Sequence, residues 1–231
     1  MGNTFDPSLI LKYVPKILKA VPKTFEILLL SLLFSLIIGA IFAGMSMSKN
    51  KVLKAISKVW IAFMRGIPTL ILIFLLYLAL PQFMKKVGVD MTGISTTAYI
   101  IATLSMSVSA NMAEMMRSAY LAVDKGQREA ALSVGMSPTM AFVRIIFPQA
   151  LGVAIPTLGN NIIMLFKETS LAFTIGVLDL LGKARALSAI NYGATQLEIY
   201  IATGLIFWAF CFIFERLFKI TEKLYTVGRK N

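Results

Sequence analysis

The 231-residue chain is 58% hydrophobic and only 15% charged, with a mean hydropathy of +0.79. Soluble domains carry about 45–50% apolar and about 25% charged residues, so a water-soluble globule does not fit. There is no histidine and a single cysteine, Cys211, which removes His-based triads, His or Cys-pair metal sites and intrachain disulfides. Cys211 lies in an apolar segment, and packing is the role expected of it. The net charge of +12, from 23 Lys+Arg against 11 Asp+Glu, suits either nucleic acid or an anionic membrane surface. Composition favours the membrane and argues against nucleic acid.

The first element predicted is an amphipathic surface helix over residues 1–23. Lys12, Lys16, Lys19 and Lys23 fall within about 60° at 100° per residue, with Ile10, Val14, Ile17 and Val21 opposite. Pro15 suggests that this helix kinks or starts late. The first 26 residues do not read as a secretory signal, because the apolar run is too long and no cleavage site follows it. Five charge-free stretches come next, at 27–48, 66–84, 91–113, 145–166 and 199–214. The first four approach or exceed the roughly 20 residues that cross a hydrocarbon core. The fifth is shorter, with Glu198 and Glu215 placed at the interfaces. Five transmembrane helices in one all-α membrane domain, 1–231, are therefore expected. Leu171 to Leu178 is apolar but too short to span, and Gly176 interrupts it. A re-entrant or protein-buried segment suits it.

With the N-terminus outside and the C-terminus cytoplasmic, 14 of the 23 basic residues are cytoplasmic, Arg229 and Lys230 among them. That is the sense expected of short cytoplasmic loops. Ser31, Ser35, Gly39 and Ala43 form a small-xxx-small stripe that lets another helix approach. No internal repeat of about 20–50 residues is visible.

The loop between the third and fourth spans, 124–138, is the most specific segment. Asp124 followed by Gln127 resembles a capping box, Ala130, Ala131 and Leu132 favour helix, and Gly135 supplies a stop. Ser137 and Pro138 then offer an N-cap and first-turn proline for a second helix. The pattern predicts a short, stiff helix outside the membrane, tied at both ends to spans. It suits coupling to a cytoplasmic partner or a plain solvated connector.

Glu129-Ala130-Ala131, Gly135 and then Ile145-Ile146-Phe147-Pro148 resemble the EAA loop of ABC importer membrane subunits, with Phe147 where Leu is commoner. Arg65-Gly66-Ile67-Pro68, Glu114, Arg117, Gly126-Gln127 and Lys167-Glu168-Thr169-Ser170-Leu171 resemble the polar amino-acid permeases of the histidine/glutamine/arginine/cystine type. The run Ser170 to Val177 is most like the cystine branch. The resemblance covers roughly residues 20–225. It implies a multi-pass permease of a prokaryotic cytoplasmic membrane, paired with a second permease subunit, identical or related. Two ABC ATPase subunits would dock beneath, and an extracytoplasmic binding protein would deliver a polar amino acid. Gln127, Glu129, Ala130, Ala131 and Gly135 would couple to the ATPase, Glu129 by charge, Ala131 by close docking and Gly135 as the bend.

Hydrolysis itself is not expected here. The nearest approach to a phosphate loop, Gly176 to Gly182-Lys183-Ala184, has the wrong spacing and lacks the hydroxyl residue. No cofactor is expected on this chain, with ATP and Mg held by the partner. A zwitterion crossing the bilayer needs polar groups to replace its water. The candidates are Ser107 and Asn111, then Asn160, Asn161, Glu168, Thr169 and Ser170. Pro148 and Pro156 could break the fourth helix and free backbone groups for this purpose. Glu168 is read either as a partner for a substrate ammonium or as a salt bridge with Lys167 or another cation. Glu114 and Arg117, one turn apart, are expected to form a structural ion pair. An ion-gradient-driven secondary amino-acid carrier is the alternative function. It accounts for the polar spans but not for the loop, and it predicts a repeat.

Overall fold

The computed structural model describes residues 5–227, and every regular element among them is helical. Arg229 and Lys230, counted above as cytoplasmic charges, lie outside the described residues, as do residues 1–4. The chain forms two compact units. One contains Met1–Phe34, Ile67–Ser105 and Ile163–Ile213, and the other Ser35–Gly66, Met106–Ile162 and Phe214–Asn231. The ranges alternate along the chain, so neither unit is a contiguous domain.

Helix α1, Pro7–Leu18, starts at the Asp6 cap, whose side chain accepts from the Ser8 N–H at 2.9 Å. It runs through Pro15 and buries Tyr13 and Ile17. It is shorter than the expected surface helix. A turn follows at Lys19–Ala20, and Val21 and Lys23 already belong to α2, Val21–Met47. The physical reason is Pro22, which has no N–H to extend the α1 ladder but fits the first turn of a new helix. α3, Lys51–Gly66, occupies a stretch for which the sequence predicts no element. Asn50 caps it, accepting from the Val52 N–H at 2.8 Å. Ile67-Pro68 ends it, because the residue before a proline is pushed out of the helical region.

α4, Thr69–Lys86, and α7, Pro138–Ile175, each contain one wide turn. In α4 the Leu80 N–H donates to Leu75, and in α7 the Phe147 N–H donates to Phe142, each five residues back. Both wide turns immediately precede a proline, Pro81 and Pro148. A π-turn lets the helix pass the missing donor and the ring without breaking. The expected break in the fourth span is therefore absent: the helix continues through Pro148 and Pro156 to Glu168 and tightens to 3-10 geometry over Thr169–Ile175. Between α4 and α7 lie α5, Thr96–Leu121, and α6, Lys125–Ser133. After α7 come α8, Leu180–Ile190, and α9, Gln196–Val227.

Among the described residues, four helices are long and apolar enough to cross a membrane: Val21–Met47, Thr69–Lys86, Pro138–Ile175 and Gln196–Leu224. They correspond to the first, second, fourth and fifth expected spans. α5 has 26 residues, ample in length, but its Ser, Thr and Asn content leaves it outside that set.

The small-residue stripe of α2 does pack. In the first unit Ser31 is fully buried, its hydroxyl donates to the Ile101 carbonyl at 3.5 Å, and the Ser105 hydroxyl donates to the Ser31 carbonyl at 3.4 Å. In the second unit a Cβ on Gly39 would sit 2.6 Å from Cβ of Met112. Only glycine permits that approach. The first unit is filled by Phe25, Phe166, Phe207 and Phe210, with ring centroids 5.2–6.2 Å apart. The second is pinned by Trp60, which stacks on Phe42 at 4.7 Å and donates to the Ser109 hydroxyl at 3.1 Å.

Candidate functional site

The loop singled out in the sequence folds as the helix α6, and its ends are held by the residues expected to hold them. Asp124 accepts from the Gly126 N–H at 2.7 Å. The reciprocal half of a capping box is not made, because the Gln127 side chain instead accepts from the Gln149 amide at 3.3 Å. That bond ties the first turn of α6 to α7. At the other end Gly135 has φ +83°. Its N–H donates to Leu132 at 3.0 Å, and the Met136 N–H donates to Ala131 at 3.1 Å. These paired bonds are a Schellman closure, which needs a left-handed residue at its bend. Ser137 then caps the start of α7 by accepting from the Met140 N–H at 3.2 Å.

Burial sorts the residues of this segment. Ala131 is buried, whereas Gln127, Glu129, Ala130 and Gly135 are exposed. The small Ala131 side chain therefore serves packing within this chain, and the outward face is carried by the others. A cleft of about 400 Å³ borders the helix, lined in part by Arg128, Glu129, Leu132, Tyr120 and Ile146.

The polar residues expected along a substrate path divide between the two units. In the second, Ser107 is buried, Asn111 and Asn161 are half-buried and Asn160 is exposed. Among the described residues the Asn161 amide donates only to sulfur, to Met112 and Met115 at 3.9 Å each. In the first, the Thr169 and Ser170 hydroxyls donate to the carbonyls of Phe166 and Lys167, both at 2.7 Å. Glu168 is the exception. Its Oε2 is buried with no hydrogen-bond partner among the described residues, and it forms no ion pair with Lys167. A buried acceptor left unpaired costs about 1–3 kcal/mol or more, which is unusual in a purely structural residue. Ser170 and Lys167 line a cleft of about 520 Å³ with Tyr200, Thr203, Trp208 and Cys211, so Cys211 borders open space rather than lying in a closed core.

Glu114 and Arg117 do form an ion pair, at 2.8 Å. They line a further cleft, of about 680 Å³, with Lys54, Lys58 and Arg65 of α3. The sequence reading counted Lys54 and Lys58 only toward topology, and Arg65 also in the Arg65-Gly66-Ile67-Pro68 motif. Their spacing of four and seven residues, which puts them on one helix face, was the signal for more. After α7, Asp179 caps α8, accepting from the Gly182 N–H at 2.9 Å, while the Leu180 N–H donates to Thr24 at 3.0 Å. Burial pushes the Asp179 carboxyl up to about 6, against the opposing pull of the Gly182 and Leu181 N–H bonds.

These features describe a polytopic helical membrane protein with a capped helix outside its candidate spans and a carboxylate oxygen left unsatisfied within one of them. Residues 35–227 match the family described as binding-protein-dependent transport system inner membrane component. The L-cystine transport system permease protein TcyL of Bacillus subtilis (strain 168) is 37% identical, over 96% of this chain and 92% of its own length. The probable amino-acid permease protein YxeN of the same organism is 40% identical, over 96% of each. A crystal structure of an amino acid ABC transporter with histidines superposes with a TM-score of 0.82 at 31% identity, covering 95% of this chain and 99% of that one. The chain belongs to the family of binding-protein-dependent transport system inner membrane components.

Proposed function

We propose that this chain is the permease subunit of an ATP-driven, binding-protein-dependent importer of a polar amino acid, in the cytoplasmic membrane of a prokaryote. The family assignment and the amino-acid permeases among its relatives support this over an ion-gradient-driven carrier. The resemblance to TcyL favours cystine as the substrate class. In this reading a second permease subunit, identical or related, completes the path. Two ATPase subunits bind the cytoplasmic face, and hydrolysis takes place there.

α5 is the third of five spans in this proposal. At about 1.5 Å per residue its 26 residues exceed the roughly 30 Å core. Several of its hydroxyls bond back within the helix: Thr103 donates to Tyr99 at 2.7 Å, Ser105 to Ile101 at 2.5 Å and Ser118 to Met115 at 3.0 Å. Such back-bonding removes most of the cost of placing polar residues in a bilayer. Five spans put the termini on opposite sides, and the bias of basic residues then puts the N-terminus outside and α6 in the cytoplasm. The path is assigned to Ser107, Asn111, Asn160, Asn161, Glu168, Thr169 and Ser170, with Glu168 receiving the substrate ammonium.

The observation that carries the mechanism is α6, a nine-residue helix capped at both ends, with Glu129 exposed on its surface. A rigid lever of this kind transmits motion of a docked ATPase to the spans as a rigid-body shift. Co-purification tests it. The wild-type chain should retain the ATPase subunits through detergent extraction, and Glu129→Lys should lose them while still inserting in the membrane. Undiminished retention by Glu129→Lys would remove the lever from the mechanism.

A further inference from the structure

α3 carries features that neither transport nor coupling uses. At 100° per residue its side chains sort into three stripes. Ser57, Ile61 and Met64 are buried and hold the helix to its own unit, where the Ser57 hydroxyl donates to the Phe42 carbonyl at 2.7 Å. On one flank, Lys51, Lys54, Lys58 and Arg65 fall within about 60°. On the other flank Val52, Ile56, Val59 and Phe63 fall within about 60°, and these four are exposed by 48–69%. The helix is therefore anchored along one stripe and open along two, one cationic and one apolar.

The cationic flank borders the 680 Å³ cleft that Lys54, Lys58, Arg65 and Arg117 line with Glu114 and Ser46. Glu114 is committed to Arg117 at 2.8 Å, and among the described residues none of Lys54, Lys58 or Arg65 takes part in an ion pair. Three uncompensated cations thus converge on a space large enough for a headgroup. Like charges held together invite a counter-anion, and the guanidinium fork of Arg65 suits phosphate oxygens.

We propose that this cleft binds the phosphodiester headgroup of an anionic phospholipid, whose acyl chains lie along the apolar stripe of α3. Charge complementarity and the adjoining apolar surface select this occupant together. A soluble anion would answer the cations but leave Val52, Ile56, Val59 and Phe63 uncovered. A second copy of the chain would bring its own net charge of +12 to an already cationic face. Basic and apolar flanks on one helix are the arrangement of a segment lying in the headgroup plane. The inference requires only that the chain sits in a membrane, so it stands or falls independently of the transported substrate.

The test titrates the full-length chain, purified in neutral detergent, with phosphatidylglycerol, phosphatidylcholine or soluble glycerol 1-phosphate while following its thermal unfolding midpoint. Phosphatidylglycerol should raise the midpoint saturably and the other two should not. Lys54→Gln with Lys58→Gln should raise the half-saturating lipid concentration by about tenfold or more. Lys54→Arg with Lys58→Arg should retain the wild-type response, and Lys12→Gln with Lys16→Gln on α1 should leave it unchanged. Equal stabilisation by phosphatidylcholine would overturn the proposal, as would stabilisation by glycerol 1-phosphate alone. An unchanged titration in the Gln pair would do the same, and if that pair altered the oligomeric mass instead, the face would belong to a second copy.

Discussion

Gly135 offers a clean perturbation, because its requirement is conformational and nothing else. It sits at φ +83°, and a Cβ built there meets nothing within 4 Å. A substitution therefore strains the backbone without clashing. Alanine in this left-handed region costs roughly 1–2 kcal/mol, while asparagine tolerates it better. Proline cannot adopt it, since its ring holds φ near about −65°. It also deletes the Gly135 N–H bond to Leu132 and forfeits the Met136 bond to Ala131, 3.0 and 3.1 Å in the native closure. Each such bond contributes about 0.5–1.5 kcal/mol net, so proline should cost roughly 3 kcal/mol or more in all. A cost of about 1–2 kcal/mol already lowers the ratio of set to unset lever about 5- to 30-fold. ATP-dependent uptake by vesicles carrying the permease, its ATPase and its binding protein should fall in the order Gly, Asn, Ala, Pro. Membrane insertion should be equal throughout. Wild-type uptake by Gly135→Pro, or better uptake by Gly135→Ala than by Gly135→Asn, would refute the reasoning.

Two other outcomes follow from the buried carboxylates. Glu168→Gln keeps the shape of the side chain but removes the charge offered to a substrate ammonium. Initial uptake should fall about tenfold or more, with permease–ATPase assembly unchanged, whereas a purely structural Glu168 would leave uptake intact. Asp179 titrates higher in the folded chain than its ordinary 3.8, at about 6, so folding favours its protonated form. Its contribution is complete below about pH 4 and is lost as pH rises through about 6, with an upper bound of roughly 3 kcal/mol. The wild-type unfolding midpoint should fall between about pH 4 and 7, and Asp179→Asn, which keeps an oxygen for the α8 cap, should flatten that fall. Identical pH profiles would rule that linkage out.

Much of this was legible before any coordinates. Charge-free runs locate four of the long helices because a bilayer demands continuous apolar surface. The residues at 124–138 announce their own helix, since Asp124, Gly135, Ser137 and Pro138 act locally. What sequence reading missed depends on context. α3 was hidden because its charges interrupt every apolar window, although its three-stripe period was present. Pro148 and Pro156 were expected to break the fourth span, but a wide turn at Phe142–Ile146 lets the helix continue past Pro148 and it runs on through Pro156. α9 runs on beyond Glu215, whose carboxylate pairs with Lys219 one turn later at 2.6 Å. The isolation of Glu168 is a tertiary fact. Its neighbour Lys167 made a salt bridge equally plausible, and only side-chain placement distinguishes the two.

The central claim, import powered by a separate ATPase and fed by a binding protein, is tested most directly by reconstituted transport. The chain is placed in proteoliposomes with its ATPase subunits, and uptake of labelled cystine and other polar amino acids is measured with binding protein outside and ATP within. Uptake that requires both ATP and the binding protein, and that persists when ion gradients are dissipated, is the result expected. Uptake by the chain alone, driven by an ion gradient and indifferent to ATP, would contradict the account.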